Sequence, residues 1–300
     1  PLVKGTIHAE YIGIQGKVFS DVLDASLELD DDDVTLRSIK ARWADGDFEI
    51  ADARVAFGSP GVELEANDIV ATNVSFQGLM RDLGVHPQSH VGWTLEHVTF
   101  DTFGVTIVPL DIEGALHAQT RDFGIYDRPS HREDRRRLIS VDKGDVKGVL
   151  AIRQHAAVLE KMHLVTPRSN VTTTVSLGFN DEFGLDIAPG STVDLGEISP
   201  LSSVQIAGKT RVDARGTGTF GEPRIAGQVS VDGFELGGIK AGDVKTAQAV
   251  FVPLSLELTK VELVKNQSFV TSERTFVDFD AGADVLVDAK VSTKIGRAHV

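Results

Sequence analysis

Cysteine is absent from all 300 residues, which excludes disulfides, thiolate metal sites and cysteine nucleophiles. That absence leaves both a cytosolic and a periplasmic home open. No run reaches the roughly 18 apolar residues that a membrane-spanning helix needs. Positive charge is the minority, with 30 basic against 44 acidic residues for a net −14. A surface of that sign repels a phosphate backbone, so nucleic acid is not an expected partner. Nor does it draw the chain to anionic lipid headgroups. It suits a soluble body kept dispersed by self-repulsion. The chain opens on Pro1 with no signal-peptide pattern behind it, so the native start is expected elsewhere. Residues 295–300, from Ile295 to Val300, read as a translated adapter and are set aside as a non-native tail.

What is present is apolar material with a strand period. Apolar residues make up 41% of the chain, enough to build a core, so disorder is not expected. Val250, Val252, Leu254, Leu256 and Leu258 are apolar in alternation, with Ser255, Glu257 and Thr259 among their neighbours. Val277, Phe279, Ala281, Ala283, Val285, Val287, Ala289 and Val291 alternate against Asp278, Asp280, Asp284, Asp288 and Lys290. Val171, Thr173, Val175, Leu177 and Phe179 repeat the pattern, as do Leu23, Ala25, Leu27 and Leu29, then Val62, Leu64 and Ala66. Period two marks a strand with one apolar face. On a helix the same residues would spread around the whole circumference. The expected fold class is all-β.

Turn signals separate the runs, among them Asp45-Gly46, Ser59-Pro60-Gly61, Pro189-Gly190, Asp232-Gly233 and Gly237-Gly238. The 29 glycines fit many tight turns and bulges. One short helix is expected at Gln77 to Leu83, where Leu79, Met80 and Leu83 fall at three- and four-residue spacing before Gly84. Leu150 to Met162 is ambiguous by period and is assigned to strand because it belongs to an internal repeat. Gly144-Asp145-Val146-Lys147 recurs as Gly242-Asp243-Val244-Lys245. Leu159, Met162, Leu164 and Val165 are answered by Leu258, Val261, Leu263 and Val264, and Ser169 and Val171 by Ser268 and Val270. A period this long implies several strands per unit. The charged stretch from Tyr126 to Arg137 interrupts the pattern, so the chain divides into residues 1–140 and 141–294.

The motifs that could carry chemistry read as scaffold. Gly216-Thr217-Gly218-Thr219-Phe220-Gly221 has the dinucleotide spacing, but a strand follows where a helix must meet the pyrophosphate. His86 and His90 have zinc-like spacing broken by Pro87. Asp30 to Asp33 lacks the glycine and distal glutamate of a calcium loop. Arg135, Arg136 and Arg137 are partly cancelled by Glu133 and Asp134. No nucleophile elbow and no isolated carboxylate pair stands out. No metal, no cofactor and no catalytic activity are expected.

Residues 208–279 carry a resemblance. The stretch from Gly216 through Pro223, Ile225, Gly227 and Val229 to Val231 resembles a recurring unit of the TamB/AsmA-like family. In that unit a glycine-rich turn precedes a strand of the form Pro-x-apolar-x-Gly-x-apolar-x-apolar. The continuation through Gly237-Gly238, Gly242-Asp243 and Leu256-Glu257-Leu258 is similar to how such units proceed. The resemblance implies a fragment of a periplasmic protein anchored in the inner membrane of a Gram-negative cell by a segment outside these residues. It implies an elongated, curved, mainly antiparallel sheet whose concave apolar face forms a groove for phospholipid acyl chains bound for the outer membrane. An outer-membrane barrel protein is a further implied partner. The candidate lining is Val250, Val252, Leu254, Leu256 and Leu258, then Val277, Phe279, Val285, Val287 and Val291, with Val171, Val175 and Leu177. Two alternatives stay open: a periplasmic scaffold for outer-membrane protein assembly, and an extracellular β-repeat adhesin whose apolar faces seal a core.

Overall fold

The structure is a computed structural model, which describes residues 3–14, 16–30, 33–57, 62–84, 91–106, 111–126, 137–198, 205–219, 222–253, 255–278 and 286–294. His86, His90, Asp31, Asp32 and the loop arginines Arg135 and Arg136 lie outside the described residues. Among the described residues seventeen strands run in chain order. They are β1 (Val3–Ile14), β2 (Lys17–Asp30), β3 (Asp33–Trp43), β4 (Gly46–Phe57), β5 (Val62–Ser75), β6 (Val91–Thr106), β7 (Asp111–Tyr126), β8 (Arg137–Arg153) and β9 (Ala156–Val165). They continue as β10 (Asn170–Gly178), β11 (Phe183–Asp194), β12 (Ile206–Gly218), β13 (Pro223–Leu236), β14 (Ile239–Val252), β15 (Ser255–Lys265), β16 (Ser268–Asp278) and β17 (Leu286–Lys294). Each strand pairs antiparallel with the next, which makes one open up-and-down sheet. The expected division after residue 140 falls inside β8, and the sheet runs through it.

Local chemistry sets the turns. Trp43 pairs with Gly46 across Ala44 and Asp45, which both take positive φ, at 52° and 62°. Leu236 pairs with Ile239 across Gly237 and Gly238, at 57° and 78°. Two-residue loops of this handedness match the right-handed twist of the strands they join.

The sheet curls strongly over its first half. In a flat sheet β2 and β10, eight positions apart, would lie about 38 Å from one another. Yet Lys17 at the start of β2 places its Nζ 4.1 Å from the ring centre of Phe179, just past the end of β10. The curl brings inward-facing side chains together. One buried cluster joins Ala25, Ile39, Ala53, Ile69, Val98, Phe100, Leu116 and Val146, and Leu159, Met162 and Leu164 of β9 pack against it.

A helix completes this packing. α1 (Phe76–Asp82) starts at Ser75, whose Oγ accepts the Gly78 N–H at 2.9 Å. It stops where Gly84 takes a φ of +73°, as its sequence spacing predicts. Phe76, Met80 and Leu83 are buried in a second cluster with Ile112, Ile152, Ala157 and Leu177. Polar contacts hold α1 to the β3–β4 turn. Asp82, which is 4% exposed, accepts the Ala44 N–H at 2.8 Å and Arg81 Nε at 2.7 Å. Arg81 also donates to Asp45 at 2.9 Å.

A short turn of helix, α2 (Leu195–Ile198), is not foretold by the residue pattern. Its Glu197 accepts Ser169 Oγ at 2.6 Å, Thr166 Oγ1 and the Arg168 N–H at 3.0 Å. Burial pushes the Glu197 carboxyl up, but these three donors together hold it below its ordinary range. The contacts clasp the tip of the short β9–β10 hairpin.

The sequence repeat has a structural counterpart. Its two copies fall on β8–β10 and β14–β16. Val146 pairs with Leu164 as Val244 pairs with Leu263. Lys161 and Lys260 take matching positive φ, 48° and 52°, at equivalent bulges.

Candidate apolar trough

Directly opposed residues on an antiparallel pair share a face. The registers therefore trace transverse rows across β11 to β17. One row runs Leu185, Gly216, Ile225, Phe251, Leu256, Val277, Val287. The next runs Ile187, Ala214, Gly227, Ala249, Leu258, Thr275, Ala289. Val229 opposes Ala247 and Ser272 opposes Val291 on a third. A fourth links Thr210, Val231, Val244, Leu263, Val270 and Thr293. Six strand spacings make the rows about 29 Å long, roughly twice the ~15 Å hydrocarbon depth of one bilayer leaflet.

Two features distinguish this wall from the curled half. Both buried clusters draw their members from residues between Phe19 and Phe183, and none from β12 to β17. On this wall Ala214, Val231 and Ala247 are buried, while the larger Leu256, Leu258, Val261, Leu263 and Val277 stay half-buried. Flanking neighbours in a single layer produce that degree of burial without a second layer on top. Small residues line the middle of the trough. A Cβ on Gly227 would stand 2.1 Å from the Asp213 carbonyl oxygen, and one on Gly216 would stand 2.8 Å from Leu185 Cβ. Thr210 carries the wall's one buried side-chain oxygen without a partner among the described residues.

The opposite face of the same strands is mainly charged, with Val250, Val252, Phe276 and the exposed Phe269 among its apolar members. Arg274 meets Glu257 at 2.8 Å, Lys245 meets Asp243 at 2.9 Å, and Arg211 meets Asp232 at 2.5 Å. The Gly233 N–H and then Lys245 hold the Asp243 carboxyl below its ordinary range. Exposed pairs of this kind contribute little stability each. They keep that face in water.

The structure separates the candidate lining residues. Leu256, Leu258, Val277, Val287 and Val291 share the trough wall. Val250 and Val252 do not. They oppose Glu257 and Ser255, on the charged face. The alternation from Val250 to Leu258 crosses a hairpin, so it does not describe one strand. The wall residues of β14 are Ala249 and Phe251. Pro253 was the available signal, since proline seldom continues a strand interior. Leu254, Phe279 and Val285 lie outside the described residues. Val171, Val175 and Leu177 share the face of the trough, opposing Leu164, Leu159 and Ala157. Leu177 is only 6% exposed and belongs to the cluster that α1 completes, with Val175 packed against it. The trough therefore ends near β10, where the protein's own side chains fill the concavity. Gly216-Thr217-Gly218 closes β12, and β13 follows it as the residue pattern predicts.

A separate concavity of about 680 Å³ lies over β4 to β7 and is lined by Arg54, Glu63, Glu65, Thr102, Asp111 and Glu113 among others. Among the described residues no group of three or more histidine, aspartate or glutamate side chains is arranged to hold a metal. No described helix is long and apolar enough to cross a membrane. No family model, curated protein or solved structure matches the chain.

Proposed function

We propose that this chain shelters lipid acyl chains along the β11–β17 trough, as a segment of a periplasmic lipid-bridging protein of the TamB/AsmA-like kind. The observation that carries the reading is the set of apolar rows with no buried cluster above them among the described residues. A soluble protein rarely leaves so continuous an apolar wall without a guest. About a dozen methylenes lying along a row would gain roughly 10 kcal/mol before the cost of ordering the chain. The wall offers few polar groups and the rows are long, which suits hydrocarbon rather than a small polar ligand. The charged reverse face and the net −14 keep the remainder in water. On this reading the site binds and does no chemistry, and the curled half β2–β10 with α1 closes one end of the conduit.

The test uses the two faces of one hairpin. Leu256→Asp together with Leu258→Asp should abolish co-purification of phospholipid, read by mass spectrometry of extracts. Val250→Asp with Val252→Asp, on the charged face, should leave it intact. Equal lipid loading in all three proteins would sink the proposal.

A further inference from the structure

We infer that the tip of the β13–β14 hairpin, with the β15–β16 turn beside it, docks on a bilayer surface that carries anionic headgroups. Gly237 and Gly238 make the tip, and large apolar side chains flank them. Leu236 is 46% exposed and Ile239 is 72% exposed. Among the described residues only Tyr11, of the large apolar side chains, is more exposed than Ile239. Leu236 opposes Ile239 on one side and Ile206 on the other, so three apolar side chains form one row across the tip. Phe269, near the start of β16, adds a fourth at 50% exposure. The tip is also fixed in shape. The Gly237 N–H donates to the Gln205 carbonyl at 2.8 Å, which satisfies a donor that hydrocarbon would leave unpaired. A two-residue turn already held this way has little order left to gain on binding, so the contact costs little entropy.

Charge selects the occupant. Lys240 follows Ile239, and Lys265 Nζ donates to the Lys240 carbonyl, which sets both cations at the base of the tip. Neither lysine has an ion-pair partner among the described residues. The neighbouring acids are engaged elsewhere. Asp243 is held by Lys245 and the Gly233 N–H, and Asp232 by Arg211. Only Glu235, which opposes Lys240 across the ladder, offsets the two lysines. The tip is therefore locally positive on a chain of net −14. Salt confines the reach of an exposed charge to about 8 Å at physiological ionic strength, so a headgroup layer at the tip feels these lysines and little of the chain's total. Aliphatic side chains in front of paired cations match a bilayer interface, where phosphates lie above hydrocarbon.

The inference does not depend on lipid in the trough. Flotation with protein-free vesicles reads docking, and lipid retained by the protein after the vesicles are removed reports the trough separately. The full chain should float with vesicles of phosphatidylcholine and phosphatidylglycerol, and should bind vesicles of phosphatidylcholine alone about fivefold less tightly or worse. Leu236→Gln together with Ile239→Gln should weaken binding to the mixed vesicles by about tenfold or more. Val3→Gln, which alters a side chain 50% exposed on β1, should leave binding unchanged. The chain has no cysteine, so Ile239→Cys can carry one polarity-sensitive dye, whose emission should shift to the blue on mixing with the anionic vesicles. Unchanged melting temperatures would show that each variant is folded. A wild-type chain that floats with neither vesicle overturns the inference. So does binding indifferent to the Leu236 and Ile239 substitutions, or a dye that stays in water. Equal binding to both vesicles overturns the choice of an anionic surface.

Discussion

Removing the same leucine atoms from the two halves of one apolar face should cost very different amounts. Leu116 on β7 is 8% exposed inside the curled half. Leu116→Ala loses the transfer free energy of the side chain and leaves a cavity between packed neighbours, about 3 kcal/mol or more. Leu258 on β15 is half-buried with no buried cluster above it. Its three lost carbons would be worth about 2.4 kcal/mol if fully buried, and half of that at most for a side chain covered only on its flanks, so roughly 1 kcal/mol. Urea unfolding followed by far-UV circular dichroism reads the difference. With a slope near 3 kcal/mol per molar, Leu116→Ala lowers the midpoint by about 1 M and Leu258→Ala by about 0.3 M. Trp43 and Trp93, the chain's two tryptophans, lie beside Phe48 and Phe76. Their fluorescence follows the curled half separately. Equal midpoint shifts for the two variants would mean that the trough wall lies under a packed layer, and the reasoning for a guest site would fail.

Two other outcomes follow from how α1 is held. A Cβ at Gly78 would stand 2.5 Å from the Ala44 carbonyl carbon and 2.7 Å from its oxygen, so Gly78→Ala should lift the helix off the turn. The gain of about 1 kcal/mol in helix propensity is outweighed, and the variant should show weakened quenching at Trp93 and a lower melting temperature. Asp45 should make this contact sensitive to acid. The Ser75 hydroxyl, and then Arg81, hold its carboxyl below the ordinary range in the folded state. A depressed folded value adds stability above the unfolded value near 3.9, and that stability drains as pH falls below it. Melting temperature against pH should drop less steeply below about pH 4 for Asp45→Asn than for the wild-type chain, and parallel profiles would count against it.

The all-β class, the helix at Gln77–Leu83 and the strand assignment of Leu150–Met162 were legible because period and turn chemistry are local. Val287, Ala289 and Val291 alternate with Asp288 and Lys290, and a strand with one apolar side is the local conformation that sorts them. Five of the candidate lining residues meet on one wall because their hairpin registers preserve that sorting. Val250 and Val252 were misplaced because alternation continues unchanged through a turn, while the hairpin reverses the chain and exchanges the faces. Phe251 was missed for the same reason.

Period and composition thus determined, unaided, that this chain forms strands and that each strand has a wet and a dry side. They carry no information on what lies opposite the dry side. Leu23 and Ala25 alternate as cleanly as Leu256 and Leu258, yet the first pair packs in a buried cluster with Leu159, Met162 and Leu164 of β9, and the second belongs to neither buried cluster. Covering a face requires elements distant in sequence to meet, as Lys17 and Phe179 do. That meeting depends on the summed twist of eight strand pairings, a property no single strand's residues contain.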